Sequence, residues 1–305
     1  MSNFLRSAAC AAALVVASSA HAAPDVVASI KPLHSLVAAV MQGIAEPGLI
    51  VTGSASPHEY SLRPSDAATL QKADLVFWIG PDFEHFLVKP LETLAPTAGA
   101  VALERAPGIH LLAPRKGGTF EPDADGDHDD EGPVDGHLFL DPENAKAMVD
   151  AIETRLAAAD PENAARYHAN AAALRIRLDQ LIAGVAAELA PVADRSFIVF
   201  HDAYHYFEER FGVRAAGSIT VEPDVTPGAQ RLAAIRAKVQ ELGATCVFAE
   251  PQFHSRLIDT VVDGTAARTG ILDPEGTALE PGADLYATLI QGLADNLRDC
   301  LASEG

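Results

Sequence analysis

Three histidines stand in separate segments of the chain, each beside apolar or aromatic residues where the pattern predicts a strand end or the mouth of a loop. His58, His137 and His201 span about 140 residues. Neutral imidazole nitrogens form a borderline-soft ligand set that suits zinc. A compact CxxC or HExxH motif lies on one local element, whereas these side chains can meet only if distant halves of the folded chain enclose an ion.

Two carboxylates and a fourth histidine are further candidates for such a site. Glu250 and Asp273 follow apolar runs that predict strands, as His201 does, and ligands of open α/β sheets lie at the carboxyl ends of strands. His205 follows His201 by four residues, the spacing of a metal-binding pair on a helix; alternatively, it is a neighbour of the site. His34 is expected to cap a helix or face solvent. Four other histidines are expected to be ordinary surface residues: His85, His110, His168 and His254.

Strand and helix patterns alternate along the chain. Apolar runs predict strands at residues 26–30, 49–51, 73–79, 197–200, 246–250 and 270–273. Helical patterns lie at residues 33–40, 64–70, 230–242, 256–268 and 285–301. This order predicts an α/β fold in which mostly parallel sheets are flanked by helices.

A long helical pattern in the middle of the chain predicts a division into two lobes. Apolar residues recur at three- and four-residue steps between Leu174 and Leu189, in a segment that starts near Pro161, and this spacing marks one face of a helix. We therefore predict an N-terminal α/β lobe at residues 23–160, a linker helix at 161–190 and a C-terminal α/β lobe at 191–305.

The N-terminus has the composition of a secretory signal peptide, predicted at residues 1–22. Arg6 precedes a short apolar stretch, and Ala20-His21-Ala22 has the small-residue pattern of a cleavage site. The apolar stretch is too short to span a membrane. We therefore expect an exported chain, in a compartment that permits one structural disulfide between Cys246 and Cys300.

The chain is strongly acidic, with a formal net charge of −20. Such a charge argues against nucleic acid and anionic lipid as partners. Many of the acids lie in residues 115–136, which are rich in Asp, Glu and Gly and contain one histidine, His128. This segment has nothing to place in a core and is predicted to be a mobile surface loop that collects cations weakly.

Several motifs together resemble the ZnuA family, the periplasmic zinc-binding proteins of bacterial zinc ABC importers. They are SIKPL at 29–33, HEYSLRPSD at 58–66, ADLVFWIGP at 73–81, HLFLDP at 137–142, HDAY at 201–204, CVFAEPQF at 246–253 and LDP at 272–274. The resemblance runs through nearly all of the mature chain. It implies two α/β lobes joined by one long linker helix, with metal in the interlobe cleft. The separation of Cys246 and Cys300 also fits the disulfide of that family.

The resemblance implies a ligand set as well. The three ligand histidines of the family fall on His58, His137 and His201, and Asp273 matches a position where some relatives place a carboxylate.

The chain departs from the family pattern in two places. Some relatives carry a metal-reaching glutamate at the position that is Pro57 here, and the acidic segment stands where relatives often have a histidine-rich loop. A second zinc site on that loop is therefore not expected. The fourth ligand stays open among Asp273, Glu59, His128 and a water molecule.

The function that the resemblance implies is that of a periplasmic solute-binding protein rather than an enzyme. Such a protein captures Zn²⁺ as transported cargo and delivers it to an inner-membrane ABC permease, and we expect it to be a monomer. One alternative is a zinc-dependent hydrolase, since three histidines and an open position also form a catalytic zinc site. The other is a manganese receptor of the same fold, which would be expected to use two carboxylates.

Overall fold

A computed structural model describes residues 22–115, 119–120, 133–220, 223, 225–243, 245–253 and 256–302. The strands are β1 Val26–Ala28, β2 Gly48–Leu49, β3 Leu75–Trp78, β4 Gly99–Ala102, β5 Phe197–Val199, β6 Ala215–Ser218, β7 Cys246–Ala249 and β8 Arg268–Ile271. They form two parallel sheets of four strands, ordered β2-β1-β3-β4 and β6-β5-β7-β8. The predicted α/β fold with two lobes is confirmed.

Both sheets place their first strand in the interior. Every residue of β1, β3 and β5 is buried, as expected of parallel strands covered on both faces. In each lobe the second strand, β2 or β6, pairs with one side of this first strand, and the third strand, β3 or β7, pairs with its other side. This reversal of strand order leaves a crevice at the carboxyl ends of the strands, where ligands bind in open α/β sheets.

Nine helices surround the sheets in the described part of the chain. They are α1 Lys31–Val40, α2 Pro64–Lys72, α3 His85–Leu94, α4 Pro142–Ala159, α5 Ala164–Leu189, α6 His205–Phe211, α7 Ala229–Leu242, α8 Arg256–Val262 and α9 Leu285–Ala302. The helix α5 has 26 residues and is about 39 Å long at 1.5 Å per residue. Its buried face includes Tyr167, Leu174 and Leu178, and it lies between the lobes as predicted.

The C-terminal helix α9 ties the second lobe to the first. It packs against α1 and α5. The backbone N–H of Tyr286 donates to Ser35 Oγ on α1 (2.9 Å), and the Tyr286 hydroxyl donates to the carbonyl oxygen of Phe139 (2.8 Å). The two lobes therefore share one apolar core, to which residues from both sheets contribute.

The predicted disulfide is present between Cys246, the first residue of β7, and Cys300 near the end of α9. Arg195 donates to the carbonyl oxygen of Leu301, and Arg268 donates to that of Cys300. Cationic side chains at the end of a helix satisfy carbonyl groups that have no partner within the helix. The end of α9 is thus held by a covalent bond and two hydrogen-bonded arginines.

The elements predicted from the sequence do not include β4, β6, α3, α4 and α6. β4 and β6 read GAVA and AAGS and form sheet edges, so they lack the β-branched and aromatic residues that mark strands. The helix α8 ends at Val262 instead of residue 268. Gly264 adopts a left-handed φ of 68° shortly after this end, and residues 268–271 pair with β7 as a strand.

No helix among the described residues is long and apolar enough to cross a membrane. The signal peptide predicted at residues 1–22 lies almost entirely outside the described residues, which begin at residue 22. Most of the acidic segment, residues 116–118 and 121–132 with His128, also lies outside them.

Candidate metal centre

His58 lies on a single turn of 3₁₀-helix at the edge of the first lobe. The turn, Pro57–Glu59, begins with a proline, whose fixed φ suits the first position of a helix. The hydroxyl oxygen of Ser56 accepts a hydrogen bond from the backbone N–H of His58 (3.3 Å). This short capped turn follows the loop after β2 and presents the imidazole to the cleft.

His137 lies in a second 3₁₀ segment, Gly136–Leu140, which Asp135 caps. Asp135 Oδ1 accepts from the His137 backbone N–H (3.0 Å) and from the ring Nδ1 (2.8 Å). Gly136 is needed because a Cβ atom there would lie 2.4 Å from the Cβ of Phe83. The close approach of Phe83 and the double acceptor role of Asp135 fix both the backbone and the ring of His137.

His201 follows β5, and its partner Glu250 follows the neighbouring strand β7. Because the carboxyl ends of parallel neighbours meet at one sheet edge, the His201 ring comes to lie against the Glu250 carboxylate. His201 Nδ1 donates to Glu250 Oε1 (2.7 Å). Both side chains are almost fully buried, so this hydrogen bond is shielded from water.

The three imidazoles converge on one point. His137 Nε2 lies 3.3 Å from His58 Nε2 and 3.3 Å from His201 Nε2. Among the described residues, these histidines form the group of donor atoms that lie within 4.8 Å of one another. Zinc–nitrogen bonds of about 2.0–2.1 Å in tetrahedral geometry place ligand atoms about 3.3–3.4 Å apart. The observed spacing therefore fits a tetrahedral zinc ion.

The protonation of the rings also fits a cation. A carboxylate only accepts hydrogen bonds, so Asp135 and Glu250 fix the protons of His137 and His201 on Nδ1. Their Nε2 lone pairs then face each other, an arrangement that a positive ion between them stabilises. Carboxylate–histidine–zinc triads are the usual second layer of protein zinc sites.

The surroundings of His58 keep its imidazole neutral. Burial, followed by the charges of His137, His201 and His85, holds the pKa of His58 well below its usual value of 6.5. Phe83 contributes to the desolvation, since its ring centroid lies 5.1 Å from that of His58 and 5.2 Å from that of His137. At neutral pH the His58 ring is therefore uncharged and ready to bind a metal.

The histidines lie in the wall of an interlobe cavity of about 270 Å³. Asp82, His85, Arg115 and Asp202 also line it. The volume of the cavity is large compared with that of a single divalent cation.

The structure does not bring Asp273 into this group. Its Oδ2 accepts from the backbone N–H of Thr277 (2.6 Å) and from the Thr277 hydroxyl (2.7 Å), and its Oδ1 accepts from the N–H of Glu275 (3.1 Å). These bonds organise the turn after β8. Glu59 is exposed, and its carboxylate is not part of this group of donor atoms. The role of Asp273 as a ligand stays a prediction.

The other histidines take varied positions. His34 does not cap α1 or face solvent, because it is buried and its Nε2 donates to the carbonyl oxygen of Pro47 (3.0 Å). His205 begins α6 and is outside the histidine group. His110 and His168 pair with Glu209 and Glu153. His85 is exposed on the cavity wall and His254 lies outside the described residues.

Three residues of the site have roles that sequence reasoning missed. Asp135 precedes His137 by two positions, and this spacing was a usable signal because a short capping motif places the carboxylate beside the ring. Glu250 was recognised as a strand-end residue, but its contact with His201 depends on the pairing of β5 with β7. Arg115 gave no signal, since its partners Asp202 and Glu208 lie more than 80 residues away.

Comparisons with known proteins agree with this geometry. Residues 26–300 match the family described as zinc-uptake complex component A, periplasmic. The high-affinity zinc uptake system protein ZnuA of Brucella suis is 50% identical over 305 aligned residues, covering 91% of this chain and 91% of that protein. The ZnuA protein of Yersinia pestis is 37% identical and covers 98% of each chain.

Solved structures show the same relationship. A crystal structure of a ZnuA deletion mutant with zinc bound is 26% identical, covers 93% of this chain and 100% of that chain, and has a TM-score of 0.78. A second crystal structure of ZnuA is 25% identical, covers 92% and 99% of the two chains, and has a TM-score of 0.78. The family match over residues 26–300 and the 50% identity over most of the chain show that this protein belongs to the ZnuA family of periplasmic zinc-uptake components.

Proposed function

We propose that this chain captures Zn²⁺ in the periplasm through His58, His137 and His201 and delivers it to an inner-membrane zinc ABC permease. The observation that carries the proposal is the convergence of three Nε2 atoms, with two spacings of 3.3 Å that match tetrahedral zinc. Relatives named as high-affinity zinc uptake proteins, up to 50% identical, support the same cargo. We also keep the expectation that the chain is a monomer.

The donor set favours zinc over manganese. All three converging donors are imidazole nitrogens, while manganese prefers carboxylate and other oxygen donors. The nearby carboxylates of Asp135 and Glu250 bind the outer Nδ1 atoms instead of the ion position. For the fourth position we propose a water molecule, because Asp273 would have to give up its bonds to Thr277 and Glu275 to reach the metal.

Membership of a family of uptake receptors also separates the chain from zinc hydrolases. A hydrolase needs a free general base beside the metal-bound water. Asp135 and Glu250 are already hydrogen-bonded to ligand histidines, so they serve to orient those rings. The arrangement therefore supports ion binding rather than hydrolysis.

We propose that the acidic segment at residues 115–136 collects cations near the cleft without forming a second tight site. Its two ends support this placement. The backbone N–H of Asp135 donates to the carbonyl oxygen of Leu112 (2.9 Å), and Arg115 and Asp135 both line the cavity. The segment thus starts and finishes at the metal cleft.

Zinc affinity should fall as the pH drops below about 6.5, because protons compete for neutral imidazole. The pKa of His58 is already held well below 6.5 by burial and by the neighbouring histidines. Protons should therefore compete with zinc for His58 only at a lower pH, where they steepen the loss of zinc affinity with falling pH. Zinc affinity measured by chelator competition from pH 8 to pH 5 checks this expectation. A constant affinity over that range contradicts a histidine site.

Glu250→Gln should lower zinc affinity by about 10–100-fold, the range typical of changes to groups that orient metal ligands. The glutamine amide can still accept from His201 Nδ1, but it lacks the charge that makes the ring a stronger base. Glu209→Gln is the matched control, since Glu209 pairs with His110 (3.0 Å) on the exposed surface. Calorimetric zinc titrations of both variants give the comparison. Equal affinities in the two variants would show that Glu250 does not tune the site.

Delivery is tested with the cognate permease reconstituted in proteoliposomes. The zinc-loaded chain should stimulate the ATPase activity of the permease and the uptake of labelled zinc. The variant that lacks all three histidines should do neither. If zinc remains on the wild-type chain while the permease hydrolyses ATP, the proposed delivery role is wrong.

A further inference from the structure

Arg115 is the one lysine or arginine among the described residues that line the metal cavity. A fixed positive charge beside a cation site weakens cation binding by electrostatic repulsion. The presence of Arg115 in this cavity therefore indicates a function that outweighs the loss of cation affinity. The guanidinium is largely enclosed, with a side chain that is 16% exposed, and it stacks on the Phe120 ring at 3.7 Å from the centroid.

The contacts of Arg115 define that role. Its Nε donates to both carboxylate oxygens of Asp202 (3.0 and 3.1 Å), and its Nη2 also contacts Asp202 Oδ1. On the other side, Nη1 and Nη2 donate to the two oxygens of Glu208 (2.9 and 2.8 Å). Glu208 is itself fixed, because it accepts from the backbone N–H of Ala215 (2.9 Å). Arg115 is thus anchored on Glu208 and holds Asp202.

Asp202 is a potential metal ligand that is already engaged by Arg115. It directly follows His201, it lines the same cavity, and its side chain is only 8% exposed. Among the described residues, its oxygens are outside the group of donor atoms within 4.8 Å of one another. With both oxygens engaged by Arg115, Asp202 is not free to bind an ion.

We propose that Arg115 determines metal selectivity by holding Asp202 away from the ion, which keeps the donor set to imidazole nitrogens. This inference rests on the proposed zinc-receptor function and adds the residue that tunes it. A released Asp202 supplies an oxygen donor with a negative charge, and such a donor favours harder ions such as Mn²⁺. Arg115 suits the task because its planar fork binds a carboxylate through two parallel hydrogen bonds.

The test compares the affinities of the full mature chain for Zn²⁺ and for Mn²⁺. Each affinity is measured with that metal alone, in competition with a chelator of known affinity. In Arg115→Gln the ratio of zinc affinity to manganese affinity should fall by about tenfold or more. The second change Asp202→Asn should return that ratio to within about threefold of wild type. Arg115→Lys keeps the charge without the fork and should give an intermediate ratio.

Arg210→Gln is the matched control. Arg210 also forms a two-point pair with a carboxylate of the first lobe, through Nε to Asp141 Oδ1 (2.7 Å) and Nη2 to Asp141 Oδ2 (2.8 Å), but it does not line the metal cavity. Its loss loosens the lobes without releasing a carboxylate toward the ion. The affinity ratio should therefore stay at the wild-type value, and thermal unfolding verifies that each variant is folded.

Three results would overturn the inference. The ratio is unchanged in folded Arg115→Gln, even if both metals bind tighter by the same factor; Asp202→Asn fails to restore the ratio; or Arg210→Gln shifts the ratio equally. If Arg115→Gln does not fold, an unchanged ratio in Arg115→Lys overturns the inference as well. A wild-type chain that binds no zinc tightly refutes the proposed function itself, so the two failures are distinguishable.

Discussion

His58→Ala and His201→Ala should each lower zinc affinity by about 100-fold or more. Structural zinc sites of zinc-finger peptides bind with an apparent free energy of about 10–16 kcal/mol. On that scale one of three or four ligands accounts for roughly 3 kcal/mol, which is more than about 100-fold in affinity. The Nε2 atoms of His58 and His201 each lie 3.3 Å from that of His137. The loss of either histidine therefore leaves the ion with one protein ligand fewer. Competition against a chelator of known affinity measures the change.

The two substitutions differ in their side effects on the fold. His201→Ala removes the imidazole partner of the buried Glu250 carboxylate (2.7 Å) and leaves it only the long hydrogen bond from the backbone N–H of residue 201 (3.4 Å), and a poorly paired buried charge destabilises the protein. His58 is half-buried, and no carboxylate among the described residues is hydrogen-bonded to it, which makes its replacement the cleaner experiment. His168→Ala, on the exposed face of α5, is the control and should bind zinc normally. Wild-type affinity in both His58→Ala and His201→Ala would show that the site is misplaced.

Loss of the Cys246–Cys300 disulfide should reduce the free energy of unfolding by about 4 kcal/mol. The bond joins residues 54 positions apart, and the chain-entropy model gives this value for such a loop. For a chain of this size, with an unfolding entropy of about 2.1 cal/mol/K per residue, the loss corresponds to a drop of roughly 7 °C in the unfolding temperature. Scanning calorimetry of the zinc-free protein, with Cys246→Ala/Cys300→Ala beside wild type, measures it.

The same double variant should still bind zinc at low temperature. Cys246 begins β7 and lies at the opposite end of that strand from Glu250, so the metal site is kept as long as β7 stays paired with β5. Added zinc should raise the unfolding temperature of both proteins, because it binds the folded cleft. An unchanged unfolding temperature in the double variant would show that packing of α9 and the hydrogen bonds from Arg195 and Arg268 hold this helix without the disulfide.

Much of the fold could be predicted because its signals are local, whereas the set of His58, His137 and His201 followed from the resemblance to the ZnuA family. The buried runs around Val76 and Ile198 predict strands, and His201 follows such a run. Asp141-Pro142 carried the capping signal of α4, with Asp141 Oδ1 accepting from the N–H of Glu143, so this helix was available to sequence reasoning as well.

The remaining features depend on tertiary contacts that no local pattern records. His34 looks like a residue at a helix start, but its pairing with Pro47 depends on how the loop before β2 folds back. Asp273 stands at a strand end, as a ligand would, yet its oxygens bind the turn that contains Thr277. The acidic segment was predicted to collect cations. That prediction gave no hint that Arg115, the first residue of the segment, pairs with the Asp202 carboxylate.

A competitive titration of the mature protein, with zinc and manganese offered together, tests the central claim most directly. Metal content is measured by mass spectrometry after dialysis. The histidine site predicts one tightly held zinc per chain that an equimolar or tenfold excess of manganese does not displace. A chain that leaves dialysis with manganese, or with no tightly bound zinc, contradicts the assignment of His58, His137 and His201 as a zinc-capturing site.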